Sequence, residues 1–119
     1  MDGKKILIAD DEMSVRLLFS ELLTEEGYEV YLAANGREAL EIYTKIDIDL
    51  VILDIAMPEM NGIEALRRMV EINNGIPIIF NTAYEEYRQS FATWGASDYL
   101  VKASDLGEIM ECIKRHLRE

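Results

Sequence analysis

Hydrophobic positions in this chain fall into short runs that alternate with stretches of helical period. Ile6-Leu7-Ile8-Ala9 is the first run, closed by Asp10-Asp11, and it reads as a strand. Ser14 is the expected cap of a helix carrying Val15, Leu18, Phe19, Leu22 and Leu23 on one stripe, with Gly27 ending it. Tyr28 to Ala33 reads as a second strand. Asn35-Gly36 then opens a helix with Ala39, Leu40 and Tyr43 on one face. The third run, Ile48 to Leu53, is the most apolar, as expected of a strand covered on both faces, and it ends at Asp54. Pro58 and Gly62 mark a loop, and Asn61 with Glu64 has capping-box spacing ahead of Ile63, Leu66, Met69 and Val70. Ile76 to Phe80 predicts a fourth strand ending near Asn81-Thr82. Tyr87, Phe91 and Trp94, at i, i+4 and i+7, predict a fourth helix broken by Gly95-Ala96. Tyr99-Leu100-Val101 reads as a short fifth strand ending at Lys102. Ser104 and Asp105 start a fifth helix whose expected buried face is Leu106, Ile109, Met110, Ile113 and Leu117.

Five strands alternating with five helices imply an α/β chain with right-handed crossovers and a parallel sheet clothed on both faces. The expected strands carry polar residues at their carboxyl ends, the edge where such sheets bind ligands. No linker, repeat or low-complexity tract interrupts the pattern, so residues 1–119 read as a single domain.

Composition narrows the function classes. Acidic residues number 23 against 12 basic, a net charge of −11, which disfavours nucleic acid and anionic membranes as direct partners. The densest basic stretch, Lys114 to Arg118, sits where it complements a helix dipole. No apolar run approaches the ~20 residues of a membrane span, and the start lacks a signal-peptide pattern. Cys112 is the one cysteine, which excludes an internal disulfide and a multi-cysteine zinc site and fits a reducing, cytoplasmic setting. Cys112 is expected half-buried on the last helix and His116 at the surface, neither with an assigned role.

Asp10 and Asp11 end the first strand, Asp54 the third, Thr82 the fourth and Lys102 the fifth. Taken singly, these are turn, cap or solvated residues. If strands one and three are neighbours, three carboxylates share one crevice, and their repulsion calls for a divalent cation or a proton. All-oxygen donors suit magnesium or manganese rather than zinc. Lys102 adds a compact positive charge and Thr82 a hydroxyl, a set that suits a small, dense anion with three oxygens, and a carboxylate can itself become an aspartyl-phosphate.

Asp10-Asp11, the run Asp54-Ile55-Ala56-Met57-Pro58-Glu59-Met60-Asn61-Gly62, then Thr82-Ala83 and Lys102 resemble the receiver domain of two-component response regulators, over essentially the whole chain. The resemblance implies a flavodoxin-like doubly wound sheet of strand order 2-1-3-4-5 with five helices. It implies Asp54 as phosphoacceptor, and Asp11, Asp54 and the Ala56 carbonyl as direct Mg2+ ligands, with Asp10 acting partly through water and Mn2+ as an alternative metal. Lys102 is implied as phosphate counter-ion and Thr82 as the hydroxyl that bonds the phosphoryl group. The Ala83 N–H is implied to face a phosphoryl oxygen, and Tyr99 to be an aromatic switch that rotates inward. The implied partners are a sensor histidine kinase or a histidine phosphotransfer protein upstream, and an effector domain or target protein downstream.

One departure is Ala103, where the family carries a proline on a cis bond; without proline a cis bond costs about 3–4 kcal/mol. Three other readings compete. A flavin or nucleotide binder would need a loop of free N–H groups where Asp10-Asp11-Glu12 stands. A metal-dependent phosphohydrolase would want a second acid shortly after Asp54, where Ile55 and Ala56 follow. A receiver-like scaffold signalling by contact alone would not need the acid, hydroxyl and lysine set.

Overall fold

The structure is a computed structural model that describes residues 3–102 and 105–117. Five strands, β1 (Lys5–Ala9), β2 (Glu29–Ala33), β3 (Leu50–Leu53), β4 (Ile78–Thr82) and β5 (Asp98–Val101), form one parallel sheet of order β2-β1-β3-β4-β5. Side chains alternate across it. Ile6, Ile8, Leu50, Ile52 and Ile79 pack on one face under α1 (Met13–Glu25) and α4 (Leu106–Leu117). Leu7, Ala9, Val51, Leu53, Ile78 and Phe80 pack on the other, under α2 (Gly36–Lys45) and α3 (Gly62–Ile72). That two-sided burial explains why β3 reads as an unbroken apolar run.

The helix starts follow their sequence signals in two cases. Asn35 accepts from the Glu38 N–H at 2.8 Å and Asn61 from the Glu64 N–H at 3.0 Å. The C-terminal stop at Gly27 also holds, at φ 95°, where an L side chain would be strained. Asp105 accepts from the Glu108 N–H at 2.8 Å and so caps α4, while Ser104 lies outside the described residues.

Several expectations need correction. Among the described residues there are four helices, not five. The stretch from Glu85 to Gly95 is a chain of tight turns, with N–H groups of Arg88, Ser90, Thr93, Trp94 and Gly95 each bonding three residues back. Its aromatic, Ser and Thr content loses rotamer freedom or competes for backbone bonds in an α-helix, so the i, i+4, i+7 spacing is kept without the helix. Tyr87, Phe91 and Trp94 still pack against the sheet. Ser14 lies inside α1; the N-cap is Glu12, whose side chain makes no cap bond. Leu18 and Leu106 are exposed rather than core, because the buried stripe of α1 is narrowed to Phe19 and Leu23 and that of α4 starts at Ile109. Cys112 is fully buried, not half-buried: its side chain packs in the core under α4 as a small hydrophobe, with Sγ 3.3 Å from Asp98 Oδ2. No helix among the described residues is long and apolar enough to cross a membrane.

Candidate functional site

Backbone bonds just past the strand ends set the site. The Asp10 N–H donates to the Ala33 carbonyl at 3.0 Å and the Asp54 N–H to the Ala9 carbonyl at 2.9 Å. Asp10 is thereby fixed to the β1–β2 ladder and Asp54 to the β1–β3 ladder, and the adjacency of β1 and β3 sets the two acids side by side. On the other flank the Lys102 N–H donates to the Thr82 carbonyl at 2.8 Å. The adjacency of β1 with β3, and of β4 with β5, brings together residues that lie up to 92 positions apart in the chain.

Lys102 Nζ is the hub. It lies 3.0 Å from Asp10 Oδ2, 3.1 Å from Asp54 Oδ2 and 2.7 Å from Glu12 Oε1. Asp10 and Asp54 are only 2% and 4% exposed, so their charges are poorly solvated and the ammonium is their main compensation. Burial alone pushes the Lys102 pKa down, but its bonds to Glu12, Asp10 and Asp54 outweigh that and hold it above its ordinary value. Burial raises Asp10 above the usual carboxylate range, a shift that the Glu12 N–H and Lys102 oppose and the nearby Asp54 charge reinforces. Glu12 is held below its ordinary value by the bond and charge of Lys102. Asp54 Oδ1 accepts from the Ile55 N–H at 2.8 Å, which orients the carboxyl and leaves Oδ2 toward the lysine.

Gly62 makes the approach of α3 to this acid possible. A Cβ there would stand 2.0 Å from the Asp54 carbonyl oxygen, far inside contact distance, and the Gly62 N–H bonds the Ile55 carbonyl at 2.8 Å. In the same loop Glu59 takes φ 64°, so the chain turns sharply between Asp54 and α3.

An open pocket of about 320 Å³ is lined by Asp11, Glu12, Asp54, Ala56, Ala83, Tyr84 and Lys102. Larger surface hollows lie elsewhere, one of them along α1, but this one collects the acids and the lysine. Of the sequence-predicted residues, Asp11, Asp54, Ala56, Ala83 and Lys102 line it directly. Asp10 sits behind it, joined through Lys102 and the Glu12 N–H at 2.9 Å. Thr82 is fully buried behind Tyr84, whose N–H points to Thr82 Oγ1 at 3.4 Å. Tyr99 is inside the fold, its ring against Phe80 and Phe91, with the Arg88 guanidinium 5.2 Å from the ring centroid. Its hydroxyl donates to the Tyr84 carbonyl. The Lys102–Ala103 bond lies outside the described residues.

Sequence reasoning missed Glu12 and Tyr84. Glu12 reads as an acid at a helix start, where the dipole already accounts for it. Tyr84 acts through its backbone, which carries no residue-type signal. Carboxylate oxygens of Asp10, Asp11 and Glu12 lie within 4.8 Å of one another, an all-oxygen group of the kind a hard divalent cation takes.

The model for response regulator receiver domains matches residues 6–114. The chain belongs to that family. Sporulation initiation phosphotransferase F of Bacillus subtilis (strain 168) is 43% identical over 119 residues, covering 98% of this chain and 96% of that protein. The regulatory protein AtoC of Escherichia coli (strain K12) is 40% identical over 116 residues, which are 96% of this receiver and only 25% of the longer regulator. Among solved structures, the response regulator TrrA of Thermotoga maritima, described in complex with Mg(2+)-BeF, superposes with a TM-score of 0.89 at 42% identity, covering 96% of this chain and 99% of that one. The sheet order β2-β1-β3-β4-β5 is the flavodoxin-like order that the resemblance implies.

Proposed function

We propose that this receiver takes a phosphoryl group from a phosphohistidine, on a histidine kinase or histidine phosphotransfer protein, onto Asp54. The observation that carries this is the triple contact of Lys102 Nζ with Asp10, Glu12 and Asp54 at the mouth of the pocket. An Asp54 carboxylate oxygen attacks phosphorus, the P–N bond breaks, and its electron pair leaves with the imidazole. Water later attacks the same phosphorus, the acyl-phosphate O–P bond breaks, and inorganic phosphate departs. Lys102 supplies positive charge for the phosphoryl oxygens, and the Ile55 N–H keeps the attacking carboxyl oriented. The exposed Ala83 leaves room for the incoming group beside its own N–H.

The donor chemistry fits a hard divalent cation: Asp10, Asp11, Asp54 and the Ala56 carbonyl would hold Mg2+, with Mn2+ as substitute, and Glu12 stands within reach. When bound, it would neutralise charge shared between carboxylate and phosphoryl oxygens. Magnesium in the TrrA relative supports this reading.

The response runs through Tyr84. Its N–H faces the Thr82 hydroxyl and its carbonyl holds the Tyr99 hydroxyl, so one backbone unit joins both proposed switch residues. Turning the Thr82 hydroxyl toward a phosphoryl oxygen loosens Tyr84 and shifts the populations of the 84–95 segment and β5, which a downstream effector domain or target reads. Incubation with Mg2+ and acetyl phosphate tests the chemistry: the intact protein gains one phosphoryl mass, and Asp54→Asn does not. An equal gain in Asp54→Asn overturns the assignment.

A further inference from the structure

At the opposite edge of the sheet, α4 and the start of β5 bring three different donor groups together. Cys112 and His116 are four apart, on one face of α4, and Asp98 opens β5 in front of them. Asp98 Oδ2 lies 3.3 Å from Cys112 Sγ and 3.1 Å from His116 Nε2, and one atom from each residue falls within 4.8 Å of the others. The phosphoacceptor pocket is separate: Asp98 and Lys102 bracket β5, roughly 13 Å apart by strand rise.

We propose that Asp98, Cys112 and His116 form a site for a borderline-soft divalent cation of the zinc class, with one coordination position left to water. A tetrahedral shell with ordinary Zn–S, Zn–N and Zn–O bonds sets neighbouring ligand atoms roughly 3.3–3.6 Å apart. The distances from Asp98 Oδ2 to Cys112 Sγ and His116 Nε2 are already close to those edges, so small rotamer changes complete the shell. Thiol, imidazole and carboxylate are together the donors zinc takes, and are poor company for Mg2+. The carboxylate is held in place: Asp98 Oδ1 accepts from the Tyr99 N–H at 2.9 Å, which leaves Oδ2 directed at Cys112 and His116. Access is partial, since Cys112 is buried while the Asp98 and His116 side chains are partly exposed. On binding, the Cys112 S–H gives its proton to solvent as the sulfur–metal bond forms.

Arg115 is the competitor. Its guanidinium donates to Asp98 Oδ2 at 2.8 Å, but its side chain is 65% exposed, so no packing holds it there. Removing it therefore favours the metal.

The test is titration of the reduced full chain with Co2+ under excess Mg2+, which fills the acidic pocket. Cys112 is the one cysteine, so thiolate-to-cobalt charge-transfer absorption reports this site alone. Saturation at one metal per monomeric chain, loss of the band in Cys112→Ala, and at least about tenfold weaker binding in His116→Gln support the site. Arg115→Ala is expected to tighten binding about two- to five-fold, the worth of an exposed ion pair. Zn2+ should displace the cobalt and raise the melting temperature of the native protein but not of His116→Gln. If Cys112→Ala fails to fold, His116→Gln and Arg115→Ala decide. Absence of the band, a band indifferent to His116→Gln, or binding only as a metal-bridged dimer overturns the proposal and leaves Asp98 as a hydrogen-bond hub tying α4 to β5.

Discussion

Replacing Lys102 by methionine removes the ammonium and keeps most of the apolar stem. Two nearly buried carboxylates, Asp10 and Asp54, then face each other without compensation. Breaking a buried ion pair costs about 3–5 kcal/mol, and the 20% exposure of the Lys102 side chain lets water recover part of it, so about 2–3 kcal/mol is expected at pH 7. For a chain of 119 residues that lowers the melting temperature by about 8–12 °C. The pH dependence is diagnostic. The folded pKa of Lys102 is raised, so its contribution is complete at pH 7 and is lost only as pH climbs past its ordinary 10.5. Asp10 is also raised, so its folded form gains as pH falls through its folded pKa toward the ordinary 3.8, and more so in the variant, where the lysine bond no longer opposes the shift. The gap between variant and wild type should therefore shrink from pH 7 to pH 4. Mg2+ at ten times its dissociation constant adds about 1.4 kcal/mol by mass action, and the variant, whose carboxylates repel each other with no ammonium to offset them, should recover more at a fixed concentration than the wild type. Urea melts at pH 4, 5.5 and 7, with and without Mg2+, measure all of this. A variant within about 0.5 kcal/mol of wild type at pH 7, with a parallel pH profile, refutes the claim that the lysine compensates buried acids.

Gly62→Ala should destabilise by about 1–3 kcal/mol despite the better helix propensity of alanine, because its Cβ meets the Asp54 carbonyl oxygen at 2.0 Å; urea denaturation with a stability equal to wild type would show that α3 can retreat freely. The same variant should slow phosphoryl uptake from acetyl phosphate by displacing Asp54. Asn61→Ala should cost about 1 kcal/mol through the lost bond to the Glu64 N–H, read by the same melts. Tyr99→Phe should cost about 1 kcal/mol by leaving the Tyr84 carbonyl short of a donor, and should leave phosphoryl uptake intact while changing the near-UV circular dichroism response to it.

Most of the sheet was legible because its central strands, buried on both faces, are short apolar runs closed by polar residues. The apolar runs gave all five strands to within two residues at every end, and Asn35, Asn61 and Gly27 marked helix limits by cap chemistry that acts locally. The stretch from Glu85 to Gly95 was misjudged because aromatic spacing reports which side chains face the sheet, not how tightly the backbone winds. Ser14 was misjudged because Glu12 begins the helix although its carboxylate is drawn away to Lys102, a long-range bond no local signal carries. Asp54, Asp10 and Lys102 were readable as polar residues at strand ends. The pairing of Asp98 with Cys112 and His116 was not, since it depends on how α4 docks against β5.

The strand order gives the molecule an uneven stiffness. β1 and β3 are each hydrogen-bonded to neighbours on both sides, whereas β5 is an edge reached through a run of tight turns. Asp10 and Asp54 thus stand on bedrock, and Lys102, Tyr84 and Tyr99 on ground that can give. Amide exchange should be slowest at Leu7 and Ile52 and fastest between Glu85 and Trp94, so that the half of the site that must hold its shape is the half that cannot yield.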